Sequence, residues 1–516
     1  MASQPEPDRA ASRTRRALRR VLLGLSIVLA LALIVGTVGF LVVRRALGSS
    51  AAPSGTTTAN AFPSPPAIPT AGPANTIFDG ITTFRGNDTR SFYGIGPVPR
   101  DPVIRWREPA DHPMCSVSLV GTIAQKWCGT GWTGQPNVIQ NANGSVEVRE
   151  GAYDGAYHFL DGTTGAEVRP ALQTRDLAKG SATSDPNGYP LYYGGSRDNH
   201  FRIIALDRPA PVVLWSMSAD ITVTNPIWNN DWDGAALVVH GYLLEGSENG
   251  YLYVVRLNRS YDSGHLVQVD PKIVATIPGW DAQELKDLGD AQVSIENSVA
   301  YRDGVVYFAN SGGLVQGWDI SDLLAGGKKY KEVLRYWTGD DTDASVTIDD
   351  QGMLYVASEY QRLNTRSQQV GQLMKLDPSR PDSPRVWGID AREIGFEGAG
   401  GSWSTPALYG KYVYFVTAAG RVLEVDRQTG AIVWEMHIAA PAIGSPVVVN
   451  GVLLQGDCSG DLYAWNVSNP AVSPPPLLWR RHFKGCIEST PAVWHGWIYL
   501  GTRQGYLYGL ADAGTP

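Results

Sequence analysis

Apolar residues follow two different patterns along the chain. Val21 to Val43 is one stretch of 23 residues interrupted only by Gly, Ser and Thr, and at about 1.5 Å per helical residue it can span a hydrocarbon core of about 30 Å. From about residue 100, short apolar and aromatic runs alternate with turns rich in Gly, Asp and Asn. The first pattern predicts a transmembrane helix over residues 21–43, and the second predicts a domain of many short β-strands.

The β-rich region repeats itself. One unit is clearest at Tyr412–Thr417, Gly420–Asp426 and Thr429–Trp434, where two aromatic strands and a strand ending on Trp are separated by Gly turns. Comparable units begin near Trp132, Gly180, Trp232, Ser294, Thr342, Gly401, Gly444 and Ser489. Eight units of four strands predict an all-β, eight-bladed β-propeller of four-stranded antiparallel blades over residues 77–514.

The eighth unit stops at Leu510 without an outer strand, and Val103–Arg107 offers the missing piece. Its Trp106 corresponds to the Trp residues that end the other outer strands, at Trp215, Trp337, Trp387, Trp434 and Trp479. We expect this N-terminal strand to complete the last blade and remove the open sheet edge. One Trp per blade on the outer strand indicates packing between blades rather than a ligand site.

The region before the propeller is divided into three segments: a basic tail at 1–20, the apolar stretch at 21–43, and a linker of mostly Ala, Pro, Ser and Thr at 44–76. Six Arg precede the apolar stretch and two follow it, so the positive-inside rule predicts a cytoplasmic N-terminus and an extracytoplasmic propeller in the cell membrane. A cleaved signal peptide is the alternative. Thr14–Leu18 resembles a twin-arginine signal, and the choice between the general secretory and twin-arginine export routes stays open.

Charge and cysteine content narrow the class of partner. The net charge is −7, and because residues 1–45 carry +6, the remainder carries −13. Such an acidic domain repels phosphate backbones, which argues against nucleic-acid binding.

The spacing of the four cysteines favours two disulfides, Cys115–Cys128 across a hairpin turning at Gly121-Thr122 and Cys458–Cys486, with free buried thiols as the alternative.

The segment Leu423–Trp434 resembles the tryptophan-docking repeat of PQQ-dependent dehydrogenases and their non-catalytic relatives, the BamB-type assembly lipoproteins. Leu160–Gly165 begins the same motif, but Arg169 stands where Trp is expected. The resemblance covers about residues 84–512 and implies the propeller fold. Three features depart from these families: no two cysteines are adjacent, no Cys-x-x-Cys-His is present, and no lipobox Cys lies beside the apolar stretch.

In a propeller, the segments before inner strands and the turns between second and third strands share one face around a central funnel. By analogy with the quinoprotein enzymes, Glu296, Asn297 and Asp343 would be Ca²⁺ ligands, with Asp343 also the general base. Trp132, Lys179 and Trp403 are the candidate cofactor-binding residues. Further funnel-face residues are Asn230, Asp231, Asp340, Asp341 and Glu488. The alternative is that these are ordinary solvated turn residues.

Motifs for other chemistries are absent from the sequence: there is no Gly-x-Ser-x-Gly, no phosphate-binding loop and no His-Glu-x-x-His. The missing adjacent cysteines and the degenerate docking motifs favour a non-catalytic binding or assembly module for a cell-envelope protein or peptide, without a cofactor. The alternative is a membrane-anchored, PQQ- and Ca²⁺-dependent alcohol or sugar dehydrogenase.

Overall fold

The computed structural model describes residues 62, 72–75, 77–120, 122–132, 134–222 and 229–516. In this part of the chain, eight sheets, antiparallel except for one parallel pair in blade 8, form the predicted eight-bladed β-propeller. The predicted transmembrane segment 21–43 lies outside the described residues. None of the helices within them has the length and apolar character needed to cross a membrane.

Blades 1 to 4 follow one another in sequence, innermost strand first. Blade 1 contains Gly80–Ile81, Asn137–Gln140, Val146–Ala152, Ala156–Asp161 and Leu172–Gln173. Blade 2 contains Thr183–Ser184, Leu191–Gly195, His200–Ala205 and Val212–Ser218. Blade 3 contains Leu237–Val239, Tyr242–Gly246, Tyr251–Arg256 and Lys272–Pro278. Blade 4 contains Ala300–Arg302, Val305–Phe308, Leu314–Asp319 and Lys331–Trp337.

Blades 5 to 8 complete the ring. Blade 5 contains Thr347–Ile348, Leu354–Ala357, Leu373–Leu376 and Arg385–Ile389. Blade 6 contains Ala407–Tyr409, Tyr412–Val416, Arg421–Asp426 and Ile432–His437. Blade 7 contains Val447–Val449, Val452–Gly456, Asp461–Asn466 and Leu477–His482. Blade 8 contains Gly94–Ile95, Ala492–Trp494, Trp497–Thr502, Tyr506–Ala511 and Val103–Glu108.

Smaller elements are inserted between these strands. Two-stranded sheets pair Cys115–Val120 with Ile123–Cys128, Arg259–Tyr261 with Val267–Val269, and Glu359–Tyr360 with Gly400–Gly401. Short helices lie at Ala219–Thr222, Ala282–Leu288, Ser321–Leu324, Thr365–Val370 and, as a 3₁₀ turn, Phe396–Gly398.

The middle strands of each blade are buried on both faces. All five residues of Val452–Gly456 and of Tyr242–Gly246 are buried, because each sheet is covered by a neighbouring blade on either side. This explains why the strands do not alternate between apolar and polar residues, as half-exposed strands would.

The N-terminal strand closes the ring as predicted. Val103–Glu108 pairs antiparallel with Tyr506–Ala511, and Trp106 lies opposite Gly509. The Trp106 indole also donates to the Gly162 carbonyl of blade 1 at 2.8 Å. A single side chain therefore joins the closing strand to both blade 8 and blade 1.

Residues 79–97, which we call the plug segment, fill the centre of the ring. Gly80–Ile81 adds to the inner edge of blade 1, antiparallel to Asn137–Gln140, and Gly94–Ile95 adds to the inner edge of blade 8, parallel to Ala492–Trp494. Between these pairs, backbone amides of Ser184, Tyr301 and Ile348 donate to plug carbonyl oxygens. The segment thus enters and leaves the channel on the face opposite the funnel.

Two arginines fix the plug segment to the ring. Arg85 is fully buried and donates to the carbonyl oxygens of Thr405, Pro406 and Pro446 at 2.6–3.1 Å. Arg90, also fully buried, donates to Val299 and Ala235 on the other side of the channel at 2.8 and 2.7 Å. The stretch from Phe84 to Tyr93 is therefore a central cross-brace.

Both predicted disulfides are present. Cys115 and Cys128 lie directly opposite each other in their hairpin. Cys458, in a turn of blade 7, is bonded to Cys486, which precedes the inner strand of blade 8. The second bond therefore links two neighbouring blades on the funnel face.

Candidate funnel site

The funnel face collects the segments that precede inner strands and the turns between second and third strands. The Trp132 amide donates to the Lys179 carbonyl at 2.9 Å, which joins the approaches to blades 1 and 2. The Glu488 carboxylate forms an ion pair with Arg503 at 2.8 Å. The topology therefore brings the approach segments and turns of neighbouring strands together on this face.

Lys179, Asp231, Asp233 and Glu248 form what we call the compensated cluster. The Lys179 Nζ atom lies 2.6 Å from Asp233, 3.3 Å from Glu248 and 3.4 Å from Asp231. Arg197 adds a second cation, 3.3 Å from Asp231. Burial lowers the pKa of Lys179, but the three carboxylates outweigh it and raise that pKa well above the ordinary value, so the ammonium stays charged.

Burial has the opposite effect on the acids of the compensated cluster. It raises the pKa of Asp233 to about 7, with Lys179 opposing and Glu248 adding to the shift. Burial and the nearby Glu248 raise the pKa of Asp231 as well. The cluster is thus a buried ion network in which the acids hold their protons to higher pH than isolated carboxylates do.

Glu296, Asp341, Asp343 and Glu359 form a second group, the uncompensated cluster. Carboxylate oxygens of Asp341, Asp343 and Glu359 lie within 4.8 Å of one another. Burial and the charge of Asp343 raise the pKa of Glu296. Among the described residues, none of the four carboxylates has a Lys, Arg or His within ion-pair distance.

Glu359 is the clearest example of a carboxylate in the uncompensated cluster that is buried without a partner. Its side chain is fully buried, and neither carboxylate oxygen has a hydrogen-bond partner. Oδ1 of Asp341 and Oδ1 of Asp343 also lack partners. Burial, followed by the negative charges of Asp341 and Asp343, raises the pKa of Glu359 well above its ordinary value. Unsatisfied buried carboxylates of like charge are costly unless protons or a cation neutralise them.

The uncompensated cluster has the oxygen chemistry that Ca²⁺ prefers. Of the predicted ligand set, the structure brings Glu296 and Asp343 into one electrostatic group. The amide of Asn297 is instead occupied in binding the carbonyl oxygens of Ala309 and Thr342, at 2.8 and 2.9 Å. Asp341 and Glu359, each with a carboxylate oxygen within 4.8 Å of one of Asp343, also have oxygens without a hydrogen-bond partner. The metal-ligand and general-base assignments remain predictions.

The remaining predicted funnel residues lie around these clusters. Trp403 is buried against Phe396 and beside the Cys458–Cys486 disulfide. Asp340 accepts the amides of Gln361 and Arg362, so it caps a turn. The other positions are Trp132, which is half-buried; Asn230, which donates to Asp220; and Glu488, where burial raises the pKa to about 7 against the opposing charge of Arg503.

PQQ is a tricarboxylate, and it requires cations that are free to bind it. Four cations of the described funnel, Lys179, Arg197, Arg362 and Arg503, each lie within ion-pair distance of a carboxylate. These four are therefore not free to bind PQQ as they stand.

Sequence reasoning did not identify Asp233 and Glu359. Asp233 follows the predicted Asp231 by two residues and is directed into the same network, which a wider window before the inner strand would have included. Glu359 lies in an insertion between the second and third strands of blade 5 that carries a short strand and a helix. No repeat pattern marks that insertion in the sequence.

Comparisons with known proteins agree with this architecture. A family model described as outer membrane protein assembly factor BamB matches residues 199–514. The outer membrane protein assembly factor BamB of Francisella salina is 25% identical over 107 residues, 20% of this chain and 19% of that protein. The quinoprotein alcohol dehydrogenase PedH of Pseudomonas putida is 28% identical over 142 residues, 25% of this chain and 21% of that protein. The chain thus spans about a fifth of the length of these relatives.

Solved structures show the same fold. A quinohemoprotein alcohol dehydrogenase from Comamonas testosteroni superposes with a TM-score of 0.56 at 12% identity, covering 85% of this chain and 81% of that one. ADHIIG of Pseudomonas putida HK5 gives 0.57 at 12% identity, with 86% and 83% covered. Because the family model matches more than half of the 516 residues, the chain belongs to the family described as outer membrane protein assembly factor BamB.

Proposed function

We propose that this protein is a non-catalytic binding module outside the cytoplasm, whose funnel receives a positively charged group of a cell-envelope protein or peptide. The uncompensated cluster carries the proposal. Asp343 and Glu359 are buried and Glu296 and Asp341 are half-buried, and no described Lys, Arg or His lies within ion-pair distance of them. A Lys or Arg side chain from a partner would therefore gain several charge-assisted hydrogen bonds there. The relatives described as assembly factors support a role of this kind.

The two disulfides support placement outside the cytoplasm, because such bonds persist mainly in oxidising compartments. We propose that residues 21–43 anchor the chain in the cell membrane, with residues 1–20 in the cytoplasm. Acidic character after residue 45 agrees with a protein or peptide partner rather than a nucleic acid.

Site-directed photo-crosslinking in intact cells tests the proposed function. A photoreactive aromatic residue replaces Trp132 at the funnel, and in a matched strain it replaces Tyr330, which lies at the opposite face of blade 4. We expect a reproducible protein or peptide adduct from position 132 and none from position 330.

Charge variants make the test specific. The double substitution Asp343→Asn and Glu359→Gln should abolish the adduct, because an amide cannot take on the negative charge that a Lys or Arg side chain of the partner would stabilise. Asp303→Asn, at a carboxylate that is 87% exposed, serves as the control and should leave the adduct unchanged. Equal adducts in all strains, or none from position 132, would contradict the proposed function.

A PQQ- and Ca²⁺-dependent alcohol or sugar dehydrogenase is the second candidate. The grouped funnel acids favour it, as does Trp403, which packs in one cluster with the Cys458–Cys486 disulfide. The full chain, mixed with PQQ and Ca²⁺, should then reduce a dye with one of a panel of alcohols and sugars. Absence of both dye reduction and a cofactor absorbance band would eliminate this candidate.

A further inference from the structure

A pocket on the outer rim, between blades 4 and 5, is lined by none of the residues of the two funnel clusters. It has a volume of about 500 Å³ and is lined by the outermost strand of blade 4, the helix Thr365–Val370 and the turn that begins the outermost strand of blade 5. We call it the rim pocket. Its lining residues are Arg335, Tyr336, Trp337, Arg366 and Pro381–Arg385.

The rim pocket is basic in an otherwise acidic domain. Arg335 is neutralised by Asp281, with Nη2 lying 2.9 Å from Oδ1. Arg366 and Arg385 have no carboxylate within ion-pair distance among the described residues. Each uses one N–H on a backbone carbonyl, that of Trp337 at 3.2 Å and that of Val370 at 3.0 Å. A guanidinium has five N–H donors, so most of theirs remain available.

Tyr336 provides a second and independent indication of a ligand. Its side chain is only 6% exposed, and its hydroxyl has no hydrogen-bond partner. The Arg366 guanidinium lies over its ring, 5.4 Å from the centroid. Burial raises the pKa of Tyr336, and the charges of Arg366 and Arg385 oppose that shift, so both cations lie near this ring. Most buried hydroxyl groups have a hydrogen-bond partner, so the Tyr336 hydroxyl is a donor that a ligand could satisfy.

The geometry points to a carboxylate-binding site formed by Arg366, Arg385 and the Tyr336 hydroxyl. Two guanidiniums and one O–H can satisfy both oxygens of a single carboxylate. The exposed Asp382 at the edge of the rim pocket and the −13 charge after residue 45 disfavour ligands with several negative charges. The occupant is therefore an Asp or Glu side chain, or a C-terminus, of a protein partner. This site supplements the proposed funnel function and does not depend on it.

Arginine modification, read residue by residue, tests the site. The full chain in mild detergent is treated with phenylglyoxal, and mass spectrometry measures the rate at each Arg. The peptide acetyl-Ala-Glu-Ala-amide should slow modification of Arg366 and Arg385 about threefold when its free concentration is about twice its Kd. The peptide with Gln in place of Glu should have no effect, and Arg480, 56% exposed, serves as an internal control.

Three variants sharpen the result. In Arg366→Gln, the Glu peptide should no longer protect Arg385, and in Tyr336→Phe the protection of both arginines should weaken. Arg480→Gln should behave as wild type. Equal protection by the Gln peptide, protection by inorganic phosphate but not by the Glu peptide, or protection of Arg480 to the same extent would overturn the proposal.

The result of the arginine-protection test can be distinguished from the result of the photo-crosslinking test of the proposed function. If the carboxylate site is correct and the funnel proposal is wrong, the Glu peptide protects Arg385 while no adduct forms from position 132. If the funnel proposal is correct and the carboxylate site is wrong, the Glu peptide protects neither arginine, and Arg385→Gln still gives the adduct from position 132.

Discussion

Glu284 is a buried acid outside the funnel whose ionisation affects stability. It lies in the helix Ala282–Leu288, accepts from Asn310 at 2.9 Å through Oε2, and has no partner for Oε1. Burial raises its pKa from 4.5 to about 8, and the hydrogen bond from Asn310 opposes the shift. Between these values the folded chain keeps a proton that the unfolded chain releases. The free energy of unfolding must therefore fall as pH rises from 4.5 to 8.

The substitution Glu284→Gln removes this dependence. Denaturant unfolding at pH 5, 6.5 and 8 should show the variant gaining stability relative to wild type by up to about 1.4 kcal/mol per pH unit. Glu167→Gln, at an exposed carboxyl, should follow the wild type at every pH. A constant difference between Glu284→Gln and wild type would show that Glu284 does not titrate in this range.

Arg90 gives a residue-scale prediction for the plug segment. Besides Val299 and Ala235, its guanidinium binds the Thr83 hydroxyl and the Phe84 carbonyl, at 2.9 and 2.8 Å. Arg90→Met leaves these acceptors buried without donors, which should lower the free energy of unfolding by about 3 kcal/mol or more. Denaturant unfolding measures the change, with Arg480→Met as the exposed control. A loss no larger than that of the control would argue against the cross-brace.

The sequence predicted part of the candidate funnel site, and there is a physical reason why it could not predict the rest. Lys179, Asp231, Glu296 and Asp343 could be placed on the funnel face because repeat topology fixes which segments lie there. Whether a carboxylate there is compensated depends on side-chain distances between different blades, and a repeat pattern carries no such information. Asn297 illustrates this, since its amide is used to join blades 4 and 5.

At the scale of single elements, Trp106 and the glycines around it connect the closing strand to the ring. Gly165 has φ +74° and lies directly beneath the Trp106 indole, where a Cβ would come within 2.8 Å of the ring. In blade 6, Gly430 of the docking motif lies beneath Trp387 in the same way. In both blades, the Thr-Gly turn of the repeat therefore packs against the Trp of the neighbouring blade. This agrees with the prediction that the Trp residues of the outer strands pack between blades.

Gly509 tests the closing strand. A Cβ at this position would lie 2.2 Å from Trp106 Cε2, so Gly509→Ala must displace the indole. We expect a loss of about 1–3 kcal/mol in the free energy of unfolding, measured with denaturant. Gly514→Ala, where no atom lies within 4 Å, is the matched control. An unchanged Gly509→Ala variant would mean that Trp106 has room to move.

At the scale of the whole molecule, the repeat pattern predicted the number of blades and the closure, because both follow from the order of strands. The plug segment could not be predicted in this way. Its decisive contacts join residues more than 200 positions apart, as in Arg90 with Val299, or 300 apart, as in Arg85 with Thr405. Phe84–Tyr93 has no periodicity, so only the assembled ring explains its two arginines.

The plug segment should make the ring unfold as one unit. Amides of Ser184, Tyr301 and Ile348 donate to the plug carbonyls of Thr82, Asp88 and Thr89. To expose them, the segment must leave a channel in which it contacts blades on every side. Native-state hydrogen exchange should therefore show these three amides exchanging as slowly as those of buried second strands, such as Leu243 and Leu453. Exchange about tenfold faster, a difference of about 1.4 kcal/mol in opening free energy, would mean that the plug opens by itself and that the ring remains closed without it.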